Sequence, residues 1–528
     1  MKQKTTLFII IAVVVIVGVI LWERQSGNEK DTFGTFSVDI SGLSEAKQNE
    51  MVELADGATY DLTARIVKKE IGNAEIKMLA YNGMVPGPLI KVAEGATVTL
   101  NFKNETDVPT TIHSHGIRLD NAFDGVPGVT QKEVGVGESF SYTITFPDAG
   151  IYWYHPHIRE DYAQELGLYG NYLVTPKDAS YWNPVNRETA LFLDDILIDG
   201  GVIVPFDKTQ ANRTLMGRFG NIMLINGEDD YALSAQKGEA IRFYMTNAAN
   251  ARPFRIAISG AKMKLVGGDS GAYEKEAWAE SVVLGPSERA VVEVMFAQAG
   301  TYAIEHRTSE KTYRMGEVVV SDENTVPSYA DSFSVLKTHS EVVKSIDPFR
   351  AYFAKTPDKR IKLSVDLAGG MGAMMGGGHM TPDGTMMGGM MMSESKDGIE
   401  WEDDMAMMNA ISNTDTVAWK LIDEETGKEN MDIGWKFKVG DKVKIRITND
   451  PDSSHPMQHP IHFHGQRFLV LDRNGVLETN LVWKDTVLIP SGEYVDILLD
   501  VSNKGEWMAH CHIAEHLEAG MMMGFKIE

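Results

Sequence analysis

The sequence predicts an all-β protein built from three homologous β-sandwich domains. Three observations support this prediction: the length of the chain, strand-like alternation along most of it, and an internal repeat. At 528 residues the chain is too long for a single hydrophobic core, and its length suggests about three domains. Segments such as 139–146 alternate apolar and polar residues between breaks that contain Gly and Pro, as half-buried strands do. Many short strands with turn residues between them are typical of β-sandwiches.

Two sequence patterns each occur three times and define the repeat. The first is a glycine, an alternating strand and an asparagine nine positions after the glycine, at 95–104, 238–247 and 440–449. The second is a glycine that begins another strand, at 150–155, 300–305 and 505–510. The repeat predicts three domains, at 50–178, 185–322 and 335–528.

The N-terminus has the pattern of a membrane segment. Residues 5–22 form an uncharged run of 18 residues, which is just long enough to cross a bilayer as a helix. Lys2 and Lys4 favour an N-terminus inside the cell and a body outside it. We therefore expect residues 1–25 to be a transmembrane anchor or a signal helix, followed by a polar tether at 26–49. Either form makes the body extracytoplasmic, in the periplasm or at the cell surface.

Charge and cysteine content limit the possible functions. The formal net charge of −24 argues against nucleic acid as a partner, and it fits either cationic substrates or a soluble acidic surface. Cys511 is the only cysteine, so no disulfide can form within the chain. Outside the cell a lone thiol would be oxidised unless something occupies it. A bound metal ion would do so.

Histidines occur in pairs separated by one residue. With 14 histidines placed at random, about 0.4 such pairs are expected, yet the chain has four. Residues i and i+2 of a strand share a face, so each pair presents two imidazoles side by side. Four such pairs could surround a cluster of metal ions. The pairs are His113/His115, His155/His157, His462/His464 and His510/His512.

Cys511 lies between the histidines of the last pair and therefore faces the opposite side of the same strand. One strand would then contact two metal centres, one through sulfur and the other through two imidazoles. His459, His516 and Met521 are close in sequence, and two His, one Cys thiolate and a weak axial Met form the ligand set of a blue copper site. Zinc also accepts Cys and His, but four histidine pairs exceed a structural zinc site, and zinc has no redox chemistry.

Alignment of the repeats predicts that the middle domain binds no copper. Segment 459–464 of the third domain aligns with 252–257, where all three ligand positions are lost. Glu305 stands in place of His510.

The first domain keeps its paired histidines but lacks the ligands of the blue site. Thr110 stands where His459 would be, and Pro156 where Cys511 would be. The sequence therefore predicts one blue copper in the third domain and one metal cluster shared between the first and third domains.

These motifs closely resemble those of the three-domain multicopper oxidases, which include laccases, ascorbate oxidase and bacterial copper-resistance oxidases. The resemblance covers essentially the whole body, through motifs at 113–116, 153–157, 459–465 and 510–516 together with Met521. It implies three cupredoxin-like Greek-key β-sandwich domains and four copper ions: one type 1, one type 2 and two type 3. It also implies an enzyme that couples one-electron oxidation of a substrate at type 1 copper to four-electron reduction of dioxygen to water.

The resemblance further implies a role for each ligand. Type 1 copper would be bound by His459, Cys511 and His516, with Met521 as the axial ligand. Type 2 copper would be bound by His113 and His462. The two type 3 ions would be bound by His115, His155 and His512, and by His157, His464 and His510.

Three positions concern proton transfer and support of the ligands. Asp124 matches a family acid near type 2 copper that assists proton delivery, although Asp-Gly is also a turn signal. Some copper-resistance members carry another acid directly after the last type 1 histidine, but here Leu517 leaves that second proton route without its acid. Asp485 could support a ligand histidine or be a plain structural acid.

Residues 371–408 form a methionine-rich insert that bears on the substrate. They contain 12 of the 28 methionines and His379, and they are too rich in glycine to form core. Thioether sulfur suits Cu(I), and copper-resistance oxidases carry a similar insert and oxidise Cu(I) to Cu(II). We therefore predict an extracytoplasmic cuprous oxidase in copper homeostasis, with dioxygen and Cu(I) as its partners. His455 and Met457 could help Cu(I) dock or be ordinary loop residues.

Two other functions fit the same sequence. In a laccase-like oxidase the reductant would be a small aromatic compound, a phenol or an aromatic amine, and the insert would only cover the entrance. In a Cu(I)-buffering protein the methionines would store the metal without turnover, but the complete ligand set argues against this. The insert could also be a disordered segment with no ligand role.

Overall fold

The computed structural model describes residues 34–368 and 397–528, together with the backbone of residues 379–380 and 386–387. Strands hold 49% of the residues and helices 8%, which confirms the all-β prediction. The predicted helix at 5–22 and most of the methionine-rich insert lie outside the described residues. Among the described residues, no helix is both long and apolar enough to cross a membrane.

Nine strands form the first unit: β1 (Met51–Glu53), β2 (Thr59–Ile71), β3 (Ala74–Tyr81), β4 (Leu89–Ala93), β5 (Thr97–Glu105), β6 (His113–His115), β7 (Ser139–Thr145), β8 (Gly150–His155) and β9 (Gly170–Thr175). They build two sheets, in the orders β3-β2-β5-β7 and β1-β4-β9-β8-β6. Alternation along the strands buries one face of each sheet, and Leu62, Phe102 and Tyr142 lie in the shared core.

The middle unit contains β10 (Arg187–Ile196), β11 (Ile198–Asp199), β12 (Val202–Ile203), β13 (Ile222–Ile225), β14 (Tyr231–Lys237), β15 (Glu239–Asn247), β16 (Phe254–Ile258), β17 (Lys262–Gly268), β18 (Gly271–Ala279), β19 (Val282–Leu284), β20 (Arg289–Phe296), β21 (Gly300–Arg307) and β22 (Thr312–Asn324). Its main sheets have the orders β13-β10-β15-β20-β17-β18 and β14-β22-β21-β16-β19. Ile241, Phe254 and Val292 lie in its core.

The third unit contains β23 (Lys359–Leu367), β24 (His379–Met380), β25 (Met386–Met387), β26 (Val417–Asp423), β27 (Trp435–Phe437), β28 (Lys442–Asn449), β29 (His459–Phe463), β30 (Arg467–Arg473), β31 (Val476–Leu477), β32 (Thr486–Ile489), β33 (Tyr494–Asp500), β34 (Gly505–Cys511) and β35 (Met522–Ile527). Its main sheets, β26-β23-β28-β33-β30-β31 and β27-β35-β34-β29-β32, enclose a core with Trp419 and Ile461. The predicted domain limits stay predictions; β22 runs two residues past the limit at 322.

Within the described residues, helices are short and lie between strands or at the ends of the units. In the described part of the chain, 3-10 turns occur at Asn121–Phe123, Asp347–Tyr352 and Asn430–Asp432. The α-helices are α1 (Glu160–Ala163), α2 (Ala330–Ser334), α3 (Ser340–Ile346), α4 (Ala406–Ile411) and α5 (Ala514–Glu518).

An equivalent asparagine in each unit gives the structural alignment of the repeats. The side-chain amide of Asn104 donates to the carbonyl oxygen of Val108 (2.9 Å). Asn247 donates in the same way to Arg252 (2.8 Å), and Asn449 to Met457 (2.7 Å). Arg252 is therefore equivalent to Met457, two residues before His459.

The predicted alignment of 252–257 with 459–464 is thus wrong by two residues. Strand pairing agrees with the corrected register, because Ala257 pairs with Glu305 as His462 pairs with His510. The positions of His459, His462 and His464 are taken in the middle unit by Phe254, Ala257 and Ser259. None of these side chains is a copper ligand, so the prediction that the middle unit holds no copper does not depend on the error.

Candidate metal centres

The four histidine pairs lie at or just after the ends of strands in the first and third units, where these two units face each other. In the first unit, His113 on β6 pairs with His155 on β8. In the third unit, His462 on β29 pairs with His510 on β34. The two units meet ring against ring, since His115 stacks on His462 at 3.7 Å between ring centroids and His113 on His464 at 4.0 Å. All eight imidazoles are buried.

Three groups of nitrogen donors result, and within each group the donor atoms lie within 4.8 Å of one another. Two of them correspond to the predicted type 3 sets, and the remaining one contains the predicted type 2 pair. The groups are His115, His155 and His512; His157, His464 and His510; and His113, His115 and His462. Each group combines residues of the first and third units, so neither unit alone could complete it.

The hydrogen bonds of the imidazoles fit metal binding. Nδ1 of His113, His155 and His462 donates to the carbonyl oxygen of Asp124 (2.7 Å), Pro156 (2.8 Å) and Asp485 (2.8 Å), respectively. Nε2 of the same three histidines is buried and has no partner among the described residues. Burial, together with the neighbouring imidazoles, lowers the pKa of His155 and His462, so each keeps a free lone pair. A buried lone pair without a partner is unfavourable, and a bound metal ion would satisfy it.

A fourth group lies on the other face of β34 and contains sulfur. The Cys511 Sγ atom is 3.6 Å from Nδ1 of His459 and 3.8 Å from Nδ1 of His516, and these two nitrogens are 3.3 Å apart. Burial raises the pKa of the Cys511 thiol and lowers the pKa of His459 to about 3. A metal ion between these donors would favour the thiolate over the thiol.

Met521 is fully buried in the core that contains Cys511. Its backbone N–H donates to the carbonyl oxygen of His516 (3.0 Å), and its carbonyl oxygen accepts from the N–H of Cys511 (3.0 Å). These bonds attach the backbone of the predicted axial ligand to two predicted ligands. The Trp419 ring, which sequence analysis missed, stacks on His516 at 4.1 Å between centroids and forms one wall of the group.

Asp124 lies inside the cluster. Its Oδ2 is 3.0 Å from Nδ1 of His464 and its Oδ1 is 3.3 Å from Nδ1 of His113. Burial would raise the pKa of this carboxyl, but the two imidazoles lower it below its usual value. The carboxylate thus lies beside two predicted ligand histidines, and its predicted role in proton delivery stays a prediction.

Asp485 contacts two histidines of the cluster. Its Oδ1 accepts from Nε2 of His115 (2.9 Å), while its backbone oxygen accepts from His462. Nδ1 of His115 has no partner among the described residues. Asp485 therefore contacts two predicted ligand histidines, which fits the interpretation that it supports them.

Sequence analysis missed two acids beside His157. Oε1 of Glu160 lies 3.3 Å from Nδ1 of His157, and burial raises the pKa of this carboxyl. Glu160 and Glu518 both line a cavity of about 310 Å³, and His157 lies in its wall. Leu517 also lines this cavity, which therefore has both of these acids in its wall although position 517 carries none. Only the proximity of Glu160 to His157 in sequence could have marked it.

Of the three remaining predicted positions, His455 and Met457 lie near the sulfur group. His455 is buried, and its Nε2 is 3.0 Å from Sδ of Met216, a contact between distant segments that sequence does not show. Met457 is fully buried. His379 is described only by its backbone, in β24, which pairs with β25.

Comparison with known proteins agrees with this geometry. Three family models, each described as multicopper oxidase, match residues 65–179, 201–324 and 402–528. Multicopper oxidase MmcO of Mycobacterium tuberculosis is 25% identical over 88% of this chain and 86% of its own length. Copper resistance protein A of Escherichia coli is 23% identical over 89% of this chain and 93% of its own length.

Among solved structures, the multicopper oxidase from Campylobacter jejuni, titled a metallo-oxidase, has a TM-score of 0.68 at 23% identity, covering 93% of this chain and 99% of its own. At this identity the likeness shows the fold. The family models together cover more than half of the chain, which therefore belongs to the multicopper oxidase family. It is an oxidoreductase whose cofactors are four copper ions, one of type 1, one of type 2 and two of type 3.

Proposed function

We propose that the protein is a cuprous oxidase, which oxidises Cu(I) to Cu(II) one electron at a time and reduces dioxygen to water. Four Cu(I), four protons and one dioxygen give four Cu(II) and two water molecules. One observation carries the oxidase part of the proposal: at the end of β34, Cys511 belongs to the sulfur group, while its neighbours in sequence, His510 and His512, belong to the cluster groups.

In this proposal the twelve predicted ligands keep the roles that the family resemblance implies. When bound, type 1 copper accepts single electrons and the three-ion cluster passes four of them to dioxygen. The chain connects the two sites by a short route, because Nδ1 of His510 donates to the carbonyl oxygen of Cys511 (2.8 Å). The carboxylate of Asp124 is a proton acceptor beside His113 and His464. All three side chains are buried, which excludes bulk water.

The attachment of the methionine-rich insert supports Cu(I) as the substrate. The backbone N–H of Glu400 donates to Oε1 of Gln458 (2.7 Å), and Nε2 of Gln458 donates to the backbone carbonyl oxygen of Glu400 (3.2 Å). Gln458 directly precedes His459, a predicted type 1 ligand. The described end of the insert is therefore fastened next to the sulfur group, and soft sulfur donors beside it would hold Cu(I) without binding it irreversibly.

Two further features favour a soft cation at this place. Acidic residues are dense where the insert rejoins the body, at Asp397, Glu400, Glu402, Asp403 and Asp404. Asp397 pairs with Arg255 and Glu402 with Lys311, and the other three would attract a cation. The contact between His455 and Met216 combines a nitrogen and a sulfur donor. The Trp419 ring lies between this pair and the sulfur group, 6.2 Å from the ring of His455 and 4.8 Å from that of His459.

The proposal is tested by removing sulfur without shortening the chain. The nine methionines of 371–392 are replaced by leucine, which keeps the apolar character and nearly the volume of each side chain. Met405, Met407 and Met408 are kept, because α4 packs against the body through Asn409 and Met408. The matched control replaces the exposed Met51 and Met431 by leucine.

We expect kcat/KM for Cu(I) to fall by about tenfold or more in the nine-leucine variant, with unchanged blue absorption and unchanged oxidation of a bulky phenol. The control should match the wild type in all three. Undiminished Cu(I) oxidation together with lost phenol oxidation would favour the laccase-like function instead. Cu(I) binding by the wild type without oxygen uptake would favour the buffering protein.

We also infer that the protein acts outside the cytoplasm, because of the predicted anchor or signal helix at 1–25. Cell fractionation with N-terminal sequencing of the mature protein tests this. An intact N-terminus in the membrane fraction indicates an anchor, a cleaved one in the soluble extracytoplasmic fraction indicates a signal segment, and cytoplasmic protein would refute export.

A further inference from the structure

The middle unit reaches the cluster through one buried arginine. Arg289, the first residue of β20, is 1% exposed and forms a two-point ion pair with Asp485 of the third unit. Nη1 donates to Oδ1 (2.6 Å) and Nη2 to Oδ2 (2.5 Å). Oδ1 of the same carboxylate accepts from Nε2 of His115 in the first unit (2.9 Å). Arg289, Asp485 and His115 thus form a continuous chain of contacts across all three units.

The guanidinium of Arg289 is held in place by hydrogen bonds from each of its nitrogens. Besides the pair with Asp485, Nε donates to the carbonyl oxygen of Ile151 in the first unit (3.2 Å). Nη1 donates to the backbone carbonyl oxygen of Ser287 (3.1 Å), and Nη2 donates to the backbone carbonyl oxygen of Asp269 (3.3 Å). All five N–H donors are used, so the group holds the Asp485 carboxylate in one orientation.

A glycine next to His115 makes room for the ion pair. Gly116 has φ +81°, a backbone conformation that favours glycine. A Cβ atom at this position would lie 2.3 Å from Oδ2 of Asp485 and 2.8 Å from Nη2 of Arg289. The chain therefore leaves space directly after a predicted ligand for a charge pair that comes from the other two units.

We propose that Arg289 is a positioning residue for the copper cluster and acts through Asp485. With the carboxylate fixed, Nε2 of His115 must be the protonated nitrogen, and Nδ1, which has no partner among the described residues, is left as the donor for metal. The backbone oxygen of Asp485 orients His462 in the same way. The middle unit, which offers no ligand of its own among the described residues, thereby sets the orientation of two ligands. This inference rests on the proposed ligand roles of His115 and His462.

The test compares two buried arginines of the middle unit. Arg289→Met removes the pair with Asp485. Arg242→Met is the matched control, because Arg242 is 3% exposed and donates through Nε and Nη2 to Glu293 (3.1 and 2.6 Å), within the middle unit. Each variant is loaded with copper, and retention against a chelator, the paramagnetic type 2 signal and the unfolding midpoint of the copper-free protein are measured.

We expect Arg289→Met to lower the copper affinity of the cluster by about 10- to 100-fold and to change the type 2 signal, while the blue absorption remains. Arg242→Met should lower only the unfolding midpoint. Asp485→Asn should match Arg289→Met, and the double variant should bind copper no more weakly than Asp485→Asn alone, because both act through one carboxylate.

Wild-type copper retention and type 2 signal in Arg289→Met would overturn the proposal, as would losses that multiply in the double variant. If Arg289→Met does not fold, Arg289→Lys replaces it with the same criteria, since lysine keeps the charge but cannot make the two-point contact. A loss of blue colour in Arg289→Lys would also overturn the proposal, because the sulfur group takes no part in the contacts that join Arg289, Asp485 and His115. Failure of the ligand assignment itself is recognised separately, by wild-type protein that does not load a cluster.

Discussion

Asp124 of the first unit and His464 of the third unit are joined by a contact of 3.0 Å between Oδ2 and Nδ1. The other carboxylate oxygen of Asp124 faces His113 of its own unit at 3.3 Å. The side chain is therefore directed into the cluster, while the turn that contains it is closed by backbone, since the N–H of Asp124 donates to the oxygen of Asn121 (3.2 Å). This position fits the proposed role of Asp124 in passing protons to groups that lie between the two units.

Replacement of Asp124 by asparagine should slow dioxygen reduction about 100-fold or more, because the amide keeps the shape but cannot carry a proton. Anaerobic bleaching of the blue absorption by reductant should stay at the wild-type rate, since the sulfur group is untouched. Stopped-flow mixing of the reduced variant with dioxygen measures the slow half-reaction. Reoxidation as fast as in the wild type would rule out the proton role.

Replacement of Cys511 by serine should abolish the absorption at about 600 nm that a Cu(II)–thiolate bond produces, together with all oxidase activity. The paramagnetic type 2 signal should remain, because Cys511 does not belong to the donor group that contains His113 and His462. Since Cys511 is the only cysteine, no second thiol can take its place. A variant that stays blue would refute the assignment of the sulfur group.

Replacement of Glu305 by alanine should leave the copper content at the wild-type value. Glu305 occupies the position of His510, but its partner across the strands is Ala257, and its carboxylate pairs with Arg307. Metal analysis of the folded variant checks this, with Arg255→Ala as a second substitution outside the cluster. A folded variant of either kind that has lost copper would reveal a site in the middle unit.

The middle unit should also carry an acid-sensitive histidine. His306 pairs with Ile256 as Cys511 pairs with Ile461, so it takes the place of the cysteine. Burial, aided by the nearby Arg252, lowers the pKa of His306 to about 3, although Glu402 opposes this. Below pH of about 6.5 the unfolded chain binds a proton that the folded chain does not, so this contribution to stability is present above pH 6.5 and lost as the pH falls towards 3.

His306→Asn should therefore lose less stability than the wild type on acidification, by up to about 1.4 kcal/mol per pH unit below pH 6.5. In the wild type, Nδ1 of His306 accepts from the backbone N–H of Arg255 (3.1 Å). The side-chain oxygen of asparagine can replace this acceptor. Urea unfolding of the copper-free proteins at pH 7 and at pH 5 measures the difference. Parallel pH profiles of variant and wild type would contradict the pKa shift.

Sequence alone could predict the strands and the ligand groups, because alternation and the His-x-His spacing are local properties of a strand. It could not predict contacts between distant segments, such as Arg289 on Asp485 across two units or Trp419 on His516 within the third unit. It also misaligned the middle unit, where a shared proline, Pro253 and Pro460, suggested the wrong register. The segment between the reference asparagine and the strand differs in length among the units, and the register follows from the hydrogen bonds of the asparagines together with the strand pairing.

The central claim is that the first and third units share a three-ion cluster next to one blue copper. Metal analysis of copper-reconstituted wild-type protein, with the blue absorption recorded on the same sample, tests it most directly. The ten predicted histidine ligands and Cys511 should hold four copper ions per chain, and the protein should be blue. A content of one or two copper ions per chain in folded, blue protein would contradict the shared cluster.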